Sequence, residues 1–368
     1  MNAMPAPMHK VSASVVLGLM CCTALAHDDD DSRHRQQPAY SNHVLVSNGG
    51  VPADFTDPNL VNAWGVAFNP QGFVWVNDAD AGKSTLYDGT GKPQALVVTV
   101  PGPGGAMGHP TGIVFSGGAD FVISKTTPTG TLTGPARFIF ATEDGTIAAW
   151  APNVDAVNAL TIVPNTTQAS YKGLALGGTG ITHLLYAANF HLGRVDVFDS
   201  MFQPTTVPGG FVDRNLPAGY APFGIQAING DIYVTFAKQD AAADEEVAGP
   251  GRGFVDVFDA NGHLIDRVAS RGALNAPWGL ALAPKSFGEF GGALLVGNFG
   301  DGTINAYGPI SGRFLGTLQD RRGRRLHIDG LWGIAFGNGI AAQPTNSLFY
   351  ASGPHDEEDG AYGVVESD

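Results

Sequence analysis

Cysteine is nearly absent from this chain: Cys21 and Cys22 stand side by side near the start, and no other follows. Beyond them there is no disulfide framework, no thiolate metal site and no cysteine nucleophile. Positive charge is also scarce, with 20 Lys and Arg against 34 Asp and Glu and a formal net charge of −14. That excess repels polyanions, so nucleic acid and anionic lipid surfaces are poor partners, while neutral or cationic ones remain open. The apolar run from Val11 to Ala26 falls short of the ~20 residues that cross a bilayer. Also missing are G-x-S-x-G, H-E-x-x-H and a glycine-rich phosphate loop at a strand-to-helix junction.

The short apolar run has a different reading. Lys10 precedes Val15-Val16-Leu17-Gly18-Leu19-Met20, and Ala24-Leu25-Ala26 follows, which is the layout of a secretory signal peptide over residues 1–26. Met20 occupies the position where a lipid-anchored leader carries a small residue. Cleavage removes both cysteines and Lys10, leaving a net charge of −15, and places the protein in the periplasm or outside the cell without a transmembrane anchor. Residues 27–41, with His27, Asp28–Asp31 and Gln36-Gln37, have the polar composition of a disordered segment.

What is abundant is turn chemistry, with 51 Gly and 24 Pro among 368 residues. Six segments share a glycine in one place: Ala63-Trp64-Gly65-Val66, Pro110-Thr111-Gly112-Ile113, Tyr171-Lys172-Gly173-Leu174, Pro222-Phe223-Gly224-Ile225, Pro277-Trp278-Gly279-Leu280 and Leu331-Trp332-Gly333-Ile334. Neighbouring glycines are about 50 residues apart, enough for four strands with loops. Second strands are expected at Phe73-Val74-Trp75-Val76, Phe121-Val122-Ile123, Leu184-Leu185-Tyr186-Ala187, Asp231-Ile232-Tyr233-Val234, Leu294-Leu295-Val296 and Leu348-Phe349-Tyr350-Ala351. Branched and aromatic residues suit buried strands. Six four-stranded units over residues 42–368 make an all-β, six-bladed β-propeller. The last unit runs out of chain before a fourth strand, so the segment His43-Val44-Leu45-Val46-Ser47 is expected to supply it and close the ring. Two insertions, residues 125–136 and 238–251, are candidate binding rims.

The residue before each repeat glycine should line the central channel: Trp64, Thr111, Lys172, Phe223, Trp278 and Trp332. Such a ring suits stacking of a sugar, a planar ring or an aliphatic chain, and the same aromatics also serve as core. An unpartnered channel lysine would have a lowered pKa and act as a nucleophile. Polar residues follow the second strands and should share one face. Asn77, Asn189 and Asn298 are expected to bond their own backbone at the turn. His191, Asp301 and His355 are the metal-ligand candidates for a divalent ion.

Long segments of the chain carry a family resemblance, among them Phe138-Ile139-Phe140-Ala141-Thr142-Glu143-Asp144-Gly145, Tyr186-Ala187-Ala188-Asn189-Phe190 and Gly297-Asn298-Phe299-Gly300-Asp301-Gly302. In these the chain resembles secreted bacterial six-bladed propellers related in repeat style to NHL proteins. That resemblance implies the fold and export, and no established reaction. A looser likeness is to lactone hydrolases of the gluconolactonase type, whose metal sits on Glu, Asn and Asp near the position before the inner-strand glycine. Here those positions hold Trp, Thr, Lys, Phe, Trp and Trp.

The resulting expectation is a non-catalytic extracytoplasmic scaffold, with no cofactor, that binds a small neutral molecule, a glycan or a protein loop. The alternative is a lactone or polysaccharide hydrolase or lyase, with Lys172 in the channel and His191, Asp301 and His355 as base or metal ligands. Convergence of those four on one cavity would favour the enzyme, and scatter would favour the binder.

Overall fold

A computed structural model describes residues 39–180 and 182–368. Six sheets stand around an axis as blades, antiparallel except where Phe55–Thr56 adds parallel to Val46 and Ser47 at the edge of the sixth. From the inside outward, blade 1 is Ala63–Phe68, Val74–Asp78, Lys83–Tyr87 and Val98–Thr99. Blade 2 is Pro110–Phe115, Phe138–Thr142, Ile147–Trp150 and Leu160–Val163, and blade 3 is Tyr171–Thr179, Thr182–Asn189, Arg194–Phe198 and Pro204–Thr205. Blade 4 is Tyr220–Ile228, Asp231–Lys238, Phe254–Phe258 and Leu264–Ser270, and blade 5 is Pro277–Leu282, Leu294–Asn298, Ile304–Tyr307 and Phe314–Thr317. Blade 6 takes Leu331–Phe336, Leu348–Ser352 and Ala361–Ser367 from the end of the chain and Tyr40–Ser47 from its beginning.

Closure pairs Tyr40–Ser47 antiparallel with Ala361–Ser367, from Tyr40↔Ser367 to Ser47↔Ala361, with a bulge between Val44 and Val46. The strand starts earlier than the sequence boundary at 42, because Tyr40 is buried between blades and stacks on Phe290 at 5.8 Å. Its hydroxyl accepts from the Phe290 N–H at 3.0 Å. The leader at 1–26 and the rest of the polar segment, through residue 38, lie outside the described residues.

The core follows from the two-residue period of a strand, which sends alternate side chains to opposite faces of each blade. In blade 3, Leu185 and Ala187 pack with blade 2, while Tyr186 and Ala188 pack with blade 4. Both faces are covered, so these strands read as unbroken apolar runs. One apolar cluster fills each of the six gaps between neighbouring blades, and a seventh lies on the axis.

The repeat glycines have a shared cause. The inner strands touch in sequence around the channel, and blade 6 returns to blade 1. A Cβ on Gly173 would stand 3.0 Å from the Phe223 carbonyl oxygen, on Gly279 2.6 Å from that of Trp332, and on Gly333 2.5 Å from that of Trp64. Gly65, Gly112 and Gly224 are closer still to the next backbone. Only glycine permits six inner strands to approach so nearly.

One strand is misplaced by the sequence reading. Blade 2 takes Phe138–Thr142 as its second strand, and the apolar triplet at 121–123 instead begins a hairpin of Val122–Thr127 with Gly130–Pro135. Phe121 and Ile123 mimic a strand because they are buried, wedged at the hairpin root, where Phe121 meets Phe202 edge-on at 5.1 Å. No helix among the described residues is long and apolar enough to cross a membrane.

Candidate functional site

The six ring residues do lie on the innermost strands, and they fill the axis by packing on each other. Trp332 stacks on Trp64, with centroids 3.5 Å apart, and on Phe299 at 4.0 Å. Trp278 meets Trp64 and Trp332 edge-on at 6.0 and 5.9 Å, and Phe223 lies 5.6 Å from Trp332. Trp64, Phe223 and Trp332 are buried, and among the six only Trp278 keeps part of its ring exposed. Thr111 is buried as well, its hydroxyl donating to the Tyr171 carbonyl at 2.6 Å. The aromatic ring is therefore mainly a plug for the channel, and the surface it offers a ligand is limited to Trp278 and its neighbour Phe299.

Hydrogen bonds orient the plug from one face. The indole N–H of Trp64 donates to Asn62 at 2.9 Å, that of Trp332 to Glu357 at 3.1 Å, and that of Trp278 to the Lys172 carbonyl at 2.8 Å. Asn62 continues to Asp80 at 3.3 Å.

Lys172 is 1% exposed, and its ammonium lies 5.4 Å from the Trp64 ring centroid. It donates to Glu143 and, at 3.2 Å, to Glu245. Burial alone would lower its pKa, but the charges of Glu143, Glu245 and Glu246 outweigh burial and hold it above the ordinary lysine range. Lys172 is thus an ammonium, not the amine nucleophile that an unpartnered channel lysine would be.

Each of these carboxylates comes from the same structural position, the connection after a second strand. Because successive strands are antiparallel, those connections and the start of each inner strand share one face. Asp80 belongs to blade 1, Glu143 to blade 2, Glu245 and Glu246 to the long connection of blade 4, and Glu357 to blade 6. Burial pushes Glu246 up to about 8, with Lys172 opposing it, and leaves its Oε2 unbonded among the described residues. Burial, reinforced by the charge of Glu143, raises Glu357 to about 7, and burial raises Asp80.

Beside this cluster opens a polar cleft of ≈520 Å³, lined by Glu143, Asp144, Asn165, His191, Asp244 and Glu245 among others. The blade 4 connection is an ordered arch: Asp240 N–H donates to the Glu245 carbonyl at 2.8 Å, and the Asp240 carboxylate accepts from Asp244 N–H at 3.0 Å. Gln239 ties it to the Phe190 carbonyl of blade 3 at 2.6 Å. Asp144 is held by His109 at 3.1 Å, and Asp244 by His191 at 2.9 Å.

The three metal candidates are not brought together. His191 pairs with Asp244 in the cleft, whereas Asp301 accepts from the Thr303 hydroxyl at 2.7 Å and His355 pairs with Asp359 at 2.7 Å. Among the described residues, no three His, Cys, Asp or Glu side chains are grouped to hold a metal. The ring does not fit a divalent ion either, since its one neutral oxygen donor, Thr111, already faces a carbonyl. Asn189 accepts from the Leu192 N–H of its own turn at 3.1 Å, whereas Asn298 donates to the Ala273 carbonyl at 2.8 Å, 25 residues back in the chain, and Asn77 reaches across to the Thr111 carbonyl of blade 2 at 3.0 Å.

Sequence reasoning placed Asp80 and Glu357 in the polar stretches that follow second strands without singling them out, and passed over Glu143, Glu245 and Glu246. The signal that could have singled out all five is a lysine in an apolar ring, which requires a counter-ion, and the connections after second strands are where to look for it.

No family model matches the chain. It is 32% identical over 332 residues to Uncharacterized protein R648 of Acanthamoeba polyphaga mimivirus, covering 88% of this chain and 79% of that protein. It is 34% identical over 306 residues to Uncharacterized protein L690 of the same virus, covering 80% and 78%. Among solved structures it is similar to a protein of unknown function from Bacteroides thetaiotaomicron, at TM-score 0.53, 13% identity and coverage of 89% and 76%. It is also similar to the PQQ-bound aldose sugar dehydrogenase of Streptomyces coelicolor, at TM-score 0.51, 15% identity and coverage of 89% and 98%. At such identity these structures bear on the fold alone.

Proposed function

This chain belongs to the same family as the mimivirus proteins R648 and L690, and from the chemistry of its channel mouth we propose that it is an extracytoplasmic binding propeller for a neutral, hydroxyl-rich ligand, a glycan above all. The observation that carries this reading is the cleft in which every carboxylate already has an internal hydrogen-bond partner. Glu143 and Glu245 share Lys172, Asp144 has His109, and Asp244 has His191. Each carboxylate is engaged within the protein and still retains further acceptor positions. A ligand rich in O–H donors satisfies such a wall without bringing a charge of its own. Export rests on the leader layout at residues 1–26.

The enzyme reading draws on one specific feature, Glu246 and Glu357, which hold protons near neutral pH and so have the property a general acid needs. Against it, Glu357 is engaged by the Trp332 indole and Lys172 is locked as an ammonium.

The test is a titration of the full chain with a panel of neutral oligosaccharides, followed by tryptophan fluorescence and calorimetry. A saturable signal that weakens about tenfold in both His191→Ala and Glu245→Gln is expected, the size of one lost hydrogen bond to a charged group. No binding across the panel, or binding that both variants leave intact, would overturn the reading.

A further inference from the structure

Blade 3 lacks most of its outer strand. In blade 4, Leu264–Ser270 runs along the third strand from Phe254 to Phe258. In blade 6, Tyr40–Ser47 covers Ala361–Ser367 end to end. In blades 2 and 5 the outer strand reaches three residues of a four-residue third strand. Blade 1 is covered at Lys83 and Ser84 and again near Tyr87. In blade 3, Pro204–Thr205 pairs with Phe198 and Val197 and goes no further, so among the described residues Arg194, Val195 and Asp196 have no ladder partner on that side.

The sequence shows why the strand stops. Continuing the register would place Pro208 opposite Arg194, and proline has no N–H to give. Gly209 and Gly210 follow, and the chain is drawn away to blade 4, where Gly209 N–H donates to the Asn261 carbonyl at 2.8 Å and Phe211 N–H to that of Gly262 at 3.0 Å. The space left behind is a cleft of ≈490 Å³, lined by Val163, Tyr171, Val195, Phe198, Val207 and Phe211 among others. It lies on the flank of the ring, distinct from the polar cleft at the channel mouth.

One cation marks the open end. The Arg194 side chain is 55% exposed and donates through Nε to Asp196 at 2.6 Å. The other Asp196 oxygen accepts from the Tyr171 hydroxyl at 3.1 Å and from Asn189 at 2.7 Å. Asp196 is therefore committed, and among the described residues Arg194 has no second acidic partner.

We propose that an extended peptide segment of a partner protein adds here as the missing outer strand of blade 3. Its backbone pairs with Arg194–Asp196, alternate apolar side chains enter the cleft, and an acidic side chain at one end meets the Arg194 guanidinium. The fold itself identifies the occupant, since a strand fills the equivalent place in blades 4 and 6. Strand addition at an exposed sheet edge draws affinity from main-chain bonds and specificity from pockets for alternate side chains. Arg194 supplies the charge complementarity, in a form suited to a carboxylate.

The probe is a phage-displayed library of random heptapeptides, panned on the full chain and counter-selected on Thr206→Trp, which fills the cleft from an exposed position. Enriched sequences should alternate apolar residues and carry an acidic residue. Their synthetic peptides should bind about tenfold more weakly to Thr206→Trp and, separately, to Arg194→Gln. N-methylation of the central peptide amides should abolish binding, as loss of ladder bonds requires. No enrichment over the counter-selected variant would overturn the proposal, and so would peptides whose binding survives N-methylation, which would be apolar capture without strand pairing. Glycan binding at the channel mouth should be unchanged in Thr206→Trp, so the two readings fail separately.

Discussion

The ammonium of Lys172 is buried and stays charged because Glu143 and Glu245 reach it from elements 29 and 73 residues away in the chain. A side chain without them would have lost its proton to burial, so the charge state of this position is a property of two distant connections and not of the local sequence. The sequence therefore reveals the lysine and hides its chemistry. The same cluster makes Glu246 a test of linkage. Its folded pKa of about 8 stands above the ordinary glutamate value near 4.5, because burial disfavours the charged form. Between those values the folded state holds a proton that the unfolded chain releases, so the contribution of Glu246 to stability is complete below about pH 4.5 and is lost as pH rises through about 8. Glu246→Gln keeps a neutral group and removes the titration. Urea melts of variant and parent should agree most closely near pH 4.5 and diverge in favour of the variant by about 4 kcal/mol at pH 8. Asp256, raised by burial to about 7, contributes in the same sense to both proteins and cancels in the comparison. A gap that is constant with pH would show that Glu246 is ionised in the folded state throughout.

At the scale of elements, the inner strands were the most legible part of the chain, since their glycine recurs in a fixed setting six times. The reason for the glycine was not legible, because the atom that excludes a side chain belongs to the next blade. At Gly224 a Cβ would collide with the carbonyl group of Trp278, backbone that cannot turn aside as a side-chain tip can. At Gly297, on a second strand, the nearest atom is the far end of the Leu331 side chain at 3.2 Å, which can turn aside. Gly224→Ala should cost about 2–3 kcal/mol, in the range of overpacked cores, and Gly297→Ala less than about 1 kcal/mol. Equal denaturation midpoints for the two variants would remove close approach as the cause of the repeat. The hairpin at Val122–Thr127 and Gly130–Pro135 shows the opposite case. Its root residues are apolar and buried like those of a strand in a blade, and nothing local distinguishes the two uses.

For the whole molecule, a ring made from one open chain must join its ends, and the site at the channel mouth depends on that join. Trp332 and Glu357 come from blade 6 and Trp64 and Asp80 from blade 1, so both the stacked indoles and the acidic cluster span the seam. The seam is held by the strand Tyr40–Ser47, which buries Tyr40, Leu45 and Val46 and completes the last sheet. The sequence disclosed this closure through a missing fourth strand at one end and a spare one at the other. Deleting residues 39–47 should expose the whole edge of Ala361–Ser367 and open the apolar cluster shared by blades 6 and 1. Loss of those three buried side chains and the ladder should lower the melting temperature by about 10 °C or more, since each kcal/mol is worth ~2–4 °C in a domain of this size. The fluorescence of Trp64 and Trp332 should shift to the red in the truncated protein as their stack loosens. A truncated protein that keeps the parent melting temperature and emission would mean that the interblade contacts close the ring without the strand, and the mouth would then owe its geometry to packing on the axis alone.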